Sequence, residues 1–219
     1  MSIPDNVFAA FPPIPYASFR DQVRNGDIVL CQGREPFSRL IQWATESPWS
    51  HAGLVFRLDE VDQVIVVEAV EKIGVRAVAL SEFLSRNSEG VSPFPGKILL
   101  ARHDQLKAEA DPHAVRELAK FAFDHLGDRF ASGDILKIAL RIAHARLFGS
   151  DRTPKMLLPD GEFICSEFVA GAYAEAGLKI PWDGLGFVAP CDIANDPHLQ
   201  PVAQADVAHP PRPQGKARR

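Results

Sequence analysis

The chain has 219 residues, 46% of them hydrophobic and 24% charged, with a formal net charge of −4. These totals fit a globular protein with one core of ordinary size. No basic stripe runs through the body of the chain, so nucleic acid is excluded as the expected partner. Its three cysteines, Cys31, Cys165 and Cys191, are widely spaced and form no C-x-x-C pair. That excludes a disulfide framework and a sulfur-rich zinc site, and it points to a reducing compartment.

Residues 1–18, with prolines at 4, 12, 13 and 15, read as an irregular arm. They lack a basic region followed by an unbroken apolar run, and no apolar stretch in the chain reaches membrane-span length. A soluble, cytoplasmic protein is expected. Asn25-Gly26 is a turn, and Asp27–Cys31 a short buried strand. Phe37, Leu40, Ile41 and Ala44 recur at helical spacing between Pro36 and Thr45. Strands follow over Ser50–Phe56, Val64–Val70 and Gly74–Leu80, then a short helix over Ser81–Arg86 and a strand over Lys97–Arg102.

Asp111-Pro112 has the N-cap and N1 chemistry of a helix start, with Gly127 as its stop. Ile135–Leu147 predicts a basic amphipathic helix carrying Lys137, Arg141 and Arg146, and a loop with Pro154, Pro159 and Gly161 follows. A further helix runs from Cys165-Ser166 to Ala176, where Gly177 ends it. Residues 182–201 are turn-rich, and the Pro-rich basic stretch 205–219 reads as a disordered tail. The expected organisation is an arm (1–18), a single catalytic domain (19–204) and a tail (205–219). The fold class is α+β, with strands gathered in the first half and helices in the second.

Cys165 carries the chemistry of this reading. A thiol in the first turn of a helix meets unpaired backbone N–H groups and the positive end of the helix dipole, and both favour the thiolate nucleophile. Positions 165, 169, 172 and 176 share a face that Val169, Ala172 and Ala176 make apolar, so this helix should pack on the sheet. His51, Gly53 and Val55 face one way along their strand, and Gly53 leaves room for a helix end or a substrate.

Glu68 interrupts an otherwise apolar strand, and buried carboxylates are costly unless paired. A hairpin centred between Asp59 and Glu60 sets Glu68 directly opposite His51, where the carboxylate accepts Nδ1–H of the ring. Nucleophile, base and orienting group together match the logic of cysteine hydrolases. The Cys165 backbone N–H is the natural first oxyanion donor. Ser50, Ser166 and Trp43 are the further candidates around substrate and oxyanion.

Several stretches resemble a known family. Residues 163–181, FICSEFVAGAYAEAGLKIP, resemble the cysteine segment of NlpC-type papain-like peptidases. GDIVL (26–30) and SHAGLV (50–55) resemble that family's strand and histidine segments. In the usual order the cysteine helix comes first; here it follows the histidine by more than a hundred residues. That order resembles the circularly permuted YiiX/YaeF-like branch, related at superfamily level to lecithin:retinol acyltransferases. The resemblance implies a permuted papain-like fold, in which a small antiparallel sheet or half-barrel packs against the nucleophile helix. It also implies Cys165 as nucleophile, His51 as base and Glu68 as third member. Where that branch often carries Gly-x-x-Tyr-Asp, this chain reads Gly127-Asp128-Arg129-Phe130-Ala131.

The leading expectation is a thiol amidase or peptidase acting on a small amide, such as a cell-wall-type peptide, through an acyl-enzyme. An acyltransferase or thioesterase on a lipid-like substrate would use the same nucleophile, with Phe37, Leu40, Ile41 and Trp43 lining an apolar pocket. A papain-like module that binds without turnover is the third alternative, against which an intact Cys165, His51 and Glu68 argue. The basic helix 135–147 offers a peripheral membrane contact, but the solvated face of an ordinary helix accounts for it better. There is no H-E-x-x-H, and the remaining histidines show no ligand spacing, so no metal or cofactor is expected.

Overall fold

A computed structural model describes residues 3–87, 90, 92–108, 110–130, 162–181 and 188–210. The predicted apolar strands come together in one sheet of seven. In chain order these are β1 (Pro13–Ile14), β2 (Asp27–Gly33), β3 (His51–Leu58), β4 (Gln63–Val70), β5 (Gly74–Ala79), β6 (Gly96–His103) and β9 (Leu199–Ala205). Their order across the sheet is β1-β9-β6-β2-β3-β4-β5, antiparallel except for the parallel β1–β9 pair. A separate two-stranded parallel ladder joins β7 (Arg129–Phe130) to β8 (Glu162–Phe163). The architecture is the expected α+β, papain-like one, with a larger sheet than expected.

Strand β2 lies mid-sheet and is buried on both faces, as its unbroken apolar run requires. On one face Ile28, Leu30, Ala52, Leu54 and Val67 pack under helices α5 (Pro112–Asp124) and α6 (Cys165–Glu175). On the other, Val29, Val55, Val66 and Leu100 meet Phe19 of α2 (Tyr16–Gln22) and Leu80, Phe83 and Leu84 of α4 (Leu80–Ser85). Helix α5 begins as its sequence predicts: the Asp111 carboxylate accepts the Ala114 N–H at 3.1 Å, with Pro112 at the first helical position. Helix α3 (Pro36–Thr45) also keeps its predicted bounds and closes on Glu46 in the left-handed region (φ 51°).

Four expectations need correction. Residues 3–18 are no irregular arm: they hold α1 (Val7–Ala10), β1 and the start of α2, with Ile3 and Val7 buried. The Ile3 N–H donates to Ala194 O, and the Asp206 N–H to Ile14 O. Strand β9 occupies part of the stretches read as turn and tail. Its Pro201 sits where the β6–β9 register slips (Leu100↔Ala203, Ala101↔Pro201), a bulge position that spares the ladder a missing N–H.

The β3–β4 hairpin is two residues out of the expected register, pairing Leu54 with Val67. The connection is a 3₁₀ turn over Asp59–Val61 closed by Asp62 at φ 48°, which is longer than a tight turn at Asp59-Glu60. Lastly, Gly53 offers no open room: a Cβ there would meet Val66 Cγ1 at 3.1 Å and both Val29 Cγ2 and Glu68 Cβ at 3.3 Å. The predicted helix 135–147, the loop before the cysteine helix and residues 211–219 lie outside the described residues.

Candidate active site

The ladder between β3 and β4 is registered only over Leu54–Leu58 and Gln63–Val67. Beyond it, His51–Gly53 stay paired with β2, while Glu68–Val70 stay paired with β5. The two strands part there, and the cysteine helix α6 packs on both. Phe168, Val169, Ala172 and Tyr173 of α6 are fully buried, and the larger of these side chains contribute on the order of 1.5–3 kcal/mol each. This packing fixes the helix start, with Ile164 as N-cap and Cys165 as first residue.

Cys165 is 4% exposed. Its thiol lies against His51 and the backbone N–H groups of Ala52 and Ser166. His51 opens strand β3, and its Nε2–H donates to Glu68 Oε2 at 2.6 Å. Sequence reasoning assigns that bond to Nδ1 instead. With Nε2 committed to the carboxylate, Nδ1 is the nitrogen left for the thiol. Glu68, at 3% side-chain exposure, is no water-facing edge residue.

Its second oxygen, Oε1, accepts Nε–H and Nη2–H of Arg76 at 2.9 and 2.7 Å. Sequence reasoning missed Arg76. The signal was available, since Arg76 interrupts the apolar strand Gly74–Ala79 just as Glu68 interrupts its own. The two residues are direct partners in the β4–β5 ladder.

These contacts set the charges. Burial opposes ionisation of the Cys165 thiol, but the charge and hydrogen bond of His51, then the Ala52 and Ser166 N–H groups, bring its pKa below the ordinary value. Burial likewise opposes the imidazolium, yet Cys165 and then Glu68 raise His51 to about 10. For Glu68, burial is outweighed by His51 and then Arg76, and its pKa lies below the usual carboxylate range. Both shifts favour the thiolate–imidazolium pair over the neutral one. Cys31, directly across the ladder from His51, is the contrast: burial pushes its thiol well up.

A cleft of about 120 Å³, open to solvent, lies over the three groups. Cys165, His51 and Glu68 line it, and Phe37, Ile41, Phe83 and Phe94 supply apolar wall. The three further candidates sit otherwise than expected. Ser50 Oγ lines the cleft, but it donates to Cys31 O and accepts the Gly33 N–H, pinning β2 to the start of β3. Ser166 Oγ donates to Val188 O at 2.6 Å. Trp43 is 51% exposed and lies off the cleft lining, because only Ala44 of α3 is buried. Glu167, also missed, lies against the backbone N–H groups of Ile164 and Val188. Ser166 thus holds Val188 against the start of the cysteine helix. Among the described residues, no three His, Cys, Asp or Glu side chains are placed to hold a metal ion.

Comparison with known proteins places the chain in a family. Residues 22–135, more than half of the chain, match the family described as permuted papain-like amidase enzymes, YaeF/YiiX, C92 family. The crystal structure of metalloprotein yiiX from Escherichia coli O157:H7 superimposes with a TM-score of 0.58 at 21% identity, covering 83% of this chain and 97% of that one. At that identity the likeness speaks for the fold. A search of curated proteins gives no match. The chain belongs to the permuted papain-like amidases of the YaeF/YiiX type, and is a cysteine hydrolase of that amidase class.

Proposed function

We propose that the protein hydrolyses a small amide through a Cys165–His51–Glu68 triad and an acyl-enzyme. The observation that carries this reading is the position of His51, beside the Cys165 thiol on one side and at 2.6 Å from a buried carboxylate on the other. The Cys165 thiolate attacks the substrate carbonyl. His51 gives its Nδ1 proton to the leaving amine and then takes one from the water that releases the acid. Glu68 holds the ring by Nε2 and stabilises the imidazolium. The Cys165 N–H, at the unpaired start of α6, is the first donor to the developing oxyanion.

The substrate reading is a short, cell-wall-type peptide. Phe37, Ile41, Phe83 and Phe94 in the cleft favour an apolar group on its acyl side. The same wall supports a second reading, thioesterase or acyl-transfer chemistry on a lipid-like acyl group. Among the described residues no helix is long and apolar enough to cross a membrane, and a cytoplasmic enzyme is proposed.

Turnover of short D-amino-acid-containing peptides against p-nitrophenyl acyl esters separates the two readings. Intact-mass and peptide-mapping analysis should find one acyl group, on Cys165, in the wild type and none in Cys165→Ala. Acylation that maps elsewhere, or turnover that survives Cys165→Ala, would overturn the assignment.

A further inference from the structure

A buried carboxylate that orients an imidazole faces a problem during turnover. While His51 is protonated, Glu68 has a cation beside it. Once the ring has given its proton to the leaving group, only a neutral N–H remains there, and burial then favours protonation of the carboxyl. A third group that stays charged throughout removes the problem, and arginine is the side chain that does.

Arg76 is placed for this. It reaches Glu68 from the neighbouring strand and puts both bonds, at 2.9 and 2.7 Å, on Oε1, leaving Oε2 to the ring. Its position is fixed by the fold. The β4–β5 turn closes through Lys72 at φ 65° and Gly74 at φ 93°, which places residues 68 and 76 opposite each other. Gly74 also lies so close to Asp128 O that a Cβ at this position would collide with it, so no larger residue fits and the start of β5 stays against the backbone at Gly127 and Asp128. Resting on the triad reading above, we infer that Arg76 is a positioning residue of the reaction, keeping the Glu68 carboxylate charged and in place through both protonation states of His51.

The rival account gives Arg76 a folding role only, neutralising a buried charge. Full-length chains separate the two by the rate of iodoacetamide alkylation at Cys165, mapped by peptide mass from pH 5 to pH 9. The set is wild type, Arg76→Lys, Arg76→Ala, Glu68→Gln and the Glu68→Gln/Arg76→Ala double variant, each checked for a native near-UV spectrum.

Loss of one close charge shifts a coupled pKa by about one unit or more. The Cys165 profile of Arg76→Ala should therefore move to higher pH by about that much, with a roughly tenfold slower rate at pH 6.5. Arg76→Lys should recover much of the loss. In the Glu68→Gln background, removing Arg76 should cost nothing further, because the carboxylate through which it acts is gone.

If Glu68→Gln slows Cys165 while Arg76→Ala leaves its profile within about twofold of wild type, the Arg76 proposal falls and the triad stands. An equal loss from Arg76→Ala with and without Glu68 also overturns it. If wild-type Cys165 reacts no faster than Cys191 at pH 6.5, the triad falls first. Should Arg76→Ala not fold, the neutral Arg76→Gln decides: a Cys165 profile within about twofold of wild type in that variant overturns the proposal.

Discussion

Glu167 gives a prediction whose sign is set by its surroundings. It lies two residues from Cys165, and burial raises its pKa from 4.5 to about 7 despite the N–H groups of Ile164 and Val188. One carboxylate oxygen, Oε2, is buried with no hydrogen-bond partner among the described residues. A carboxyl whose pKa is higher in the folded chain than in the unfolded one keeps its proton longer when folded. Between pH 4.5 and 7 the unfolded state thus binds fewer protons, and this group's contribution to stability falls as pH rises, levelling off above 7. At about 1.4 kcal/mol per pKa unit the loss is bounded at about 3 kcal/mol, and partial exposure brings the expected figure to about 1–2 kcal/mol. Glu167→Gln abolishes the titration. Urea unfolding of wild type and variant at pH 5, 6, 7 and 8 should show the variant gaining about 1–2 kcal/mol on the wild type between the first and last. A difference that stays flat with pH, or that turns against the variant as pH rises, would refute the reasoning.

Other sites carry further expectations. In Gly53→Ala the new methyl group, at 3.3 Å from Glu68 Cβ and 3.1 Å from Val66 Cγ1, should displace the carboxylate. Overpacking of this kind costs about 1–3 kcal/mol, and amide turnover should fall by more than the stability loss explains. Phe168→Ala empties a fully buried site 5.9 Å from the Phe121 ring, and chemical denaturation should register a loss of about 3–5 kcal/mol. Arg102→Ala strands Asp27, 2% exposed and held at 2.7 Å through each oxygen. Because Arg102 is itself partly exposed, about 2–3 kcal/mol is expected rather than the full cost of breaking a buried pair. That loss should be larger at pH 8 than at pH 4, where a protonated Asp27 no longer needs a cation.

What the sequence made legible was local. The N-cap chemistry of Asp111-Pro112 and the apolar face behind Cys165 placed two helices, and strand alternation put His51 and Glu68 on one side of the sheet. The hairpin register depended on turn geometry. Asp59–Asp62 carries no tight-turn signal, and its 3₁₀ turn moved the pairing by two residues. His51 and Glu68 still meet, because both strands diverge there and the side chains span the offset. Strand β9 was hidden by Pro201, which a bulge tolerates, and the ordered structure within residues 3–18 by prolines that begin elements rather than break them. Arg76 escaped notice because it bonds to Glu68 and not to His51, and pairing Glu68 with His51 already accounted for the buried carboxylate. Trp43 looked like a pocket residue from its spacing, but α3 is anchored through Ala44 and turns the indole outward.

Every step of this mechanism depends on Cys165 and His51 forming an ion pair. Nitrogen-15 NMR of the His51 imidazole through a pH titration reads this directly. The ring should stay protonated well past pH 8 in the wild type, and its pKa should drop when Cys165→Ala removes the thiolate. A His51 ring that titrates near its ordinary 6.5 in the wild type, unchanged by loss of the thiol, would contradict the ion pair.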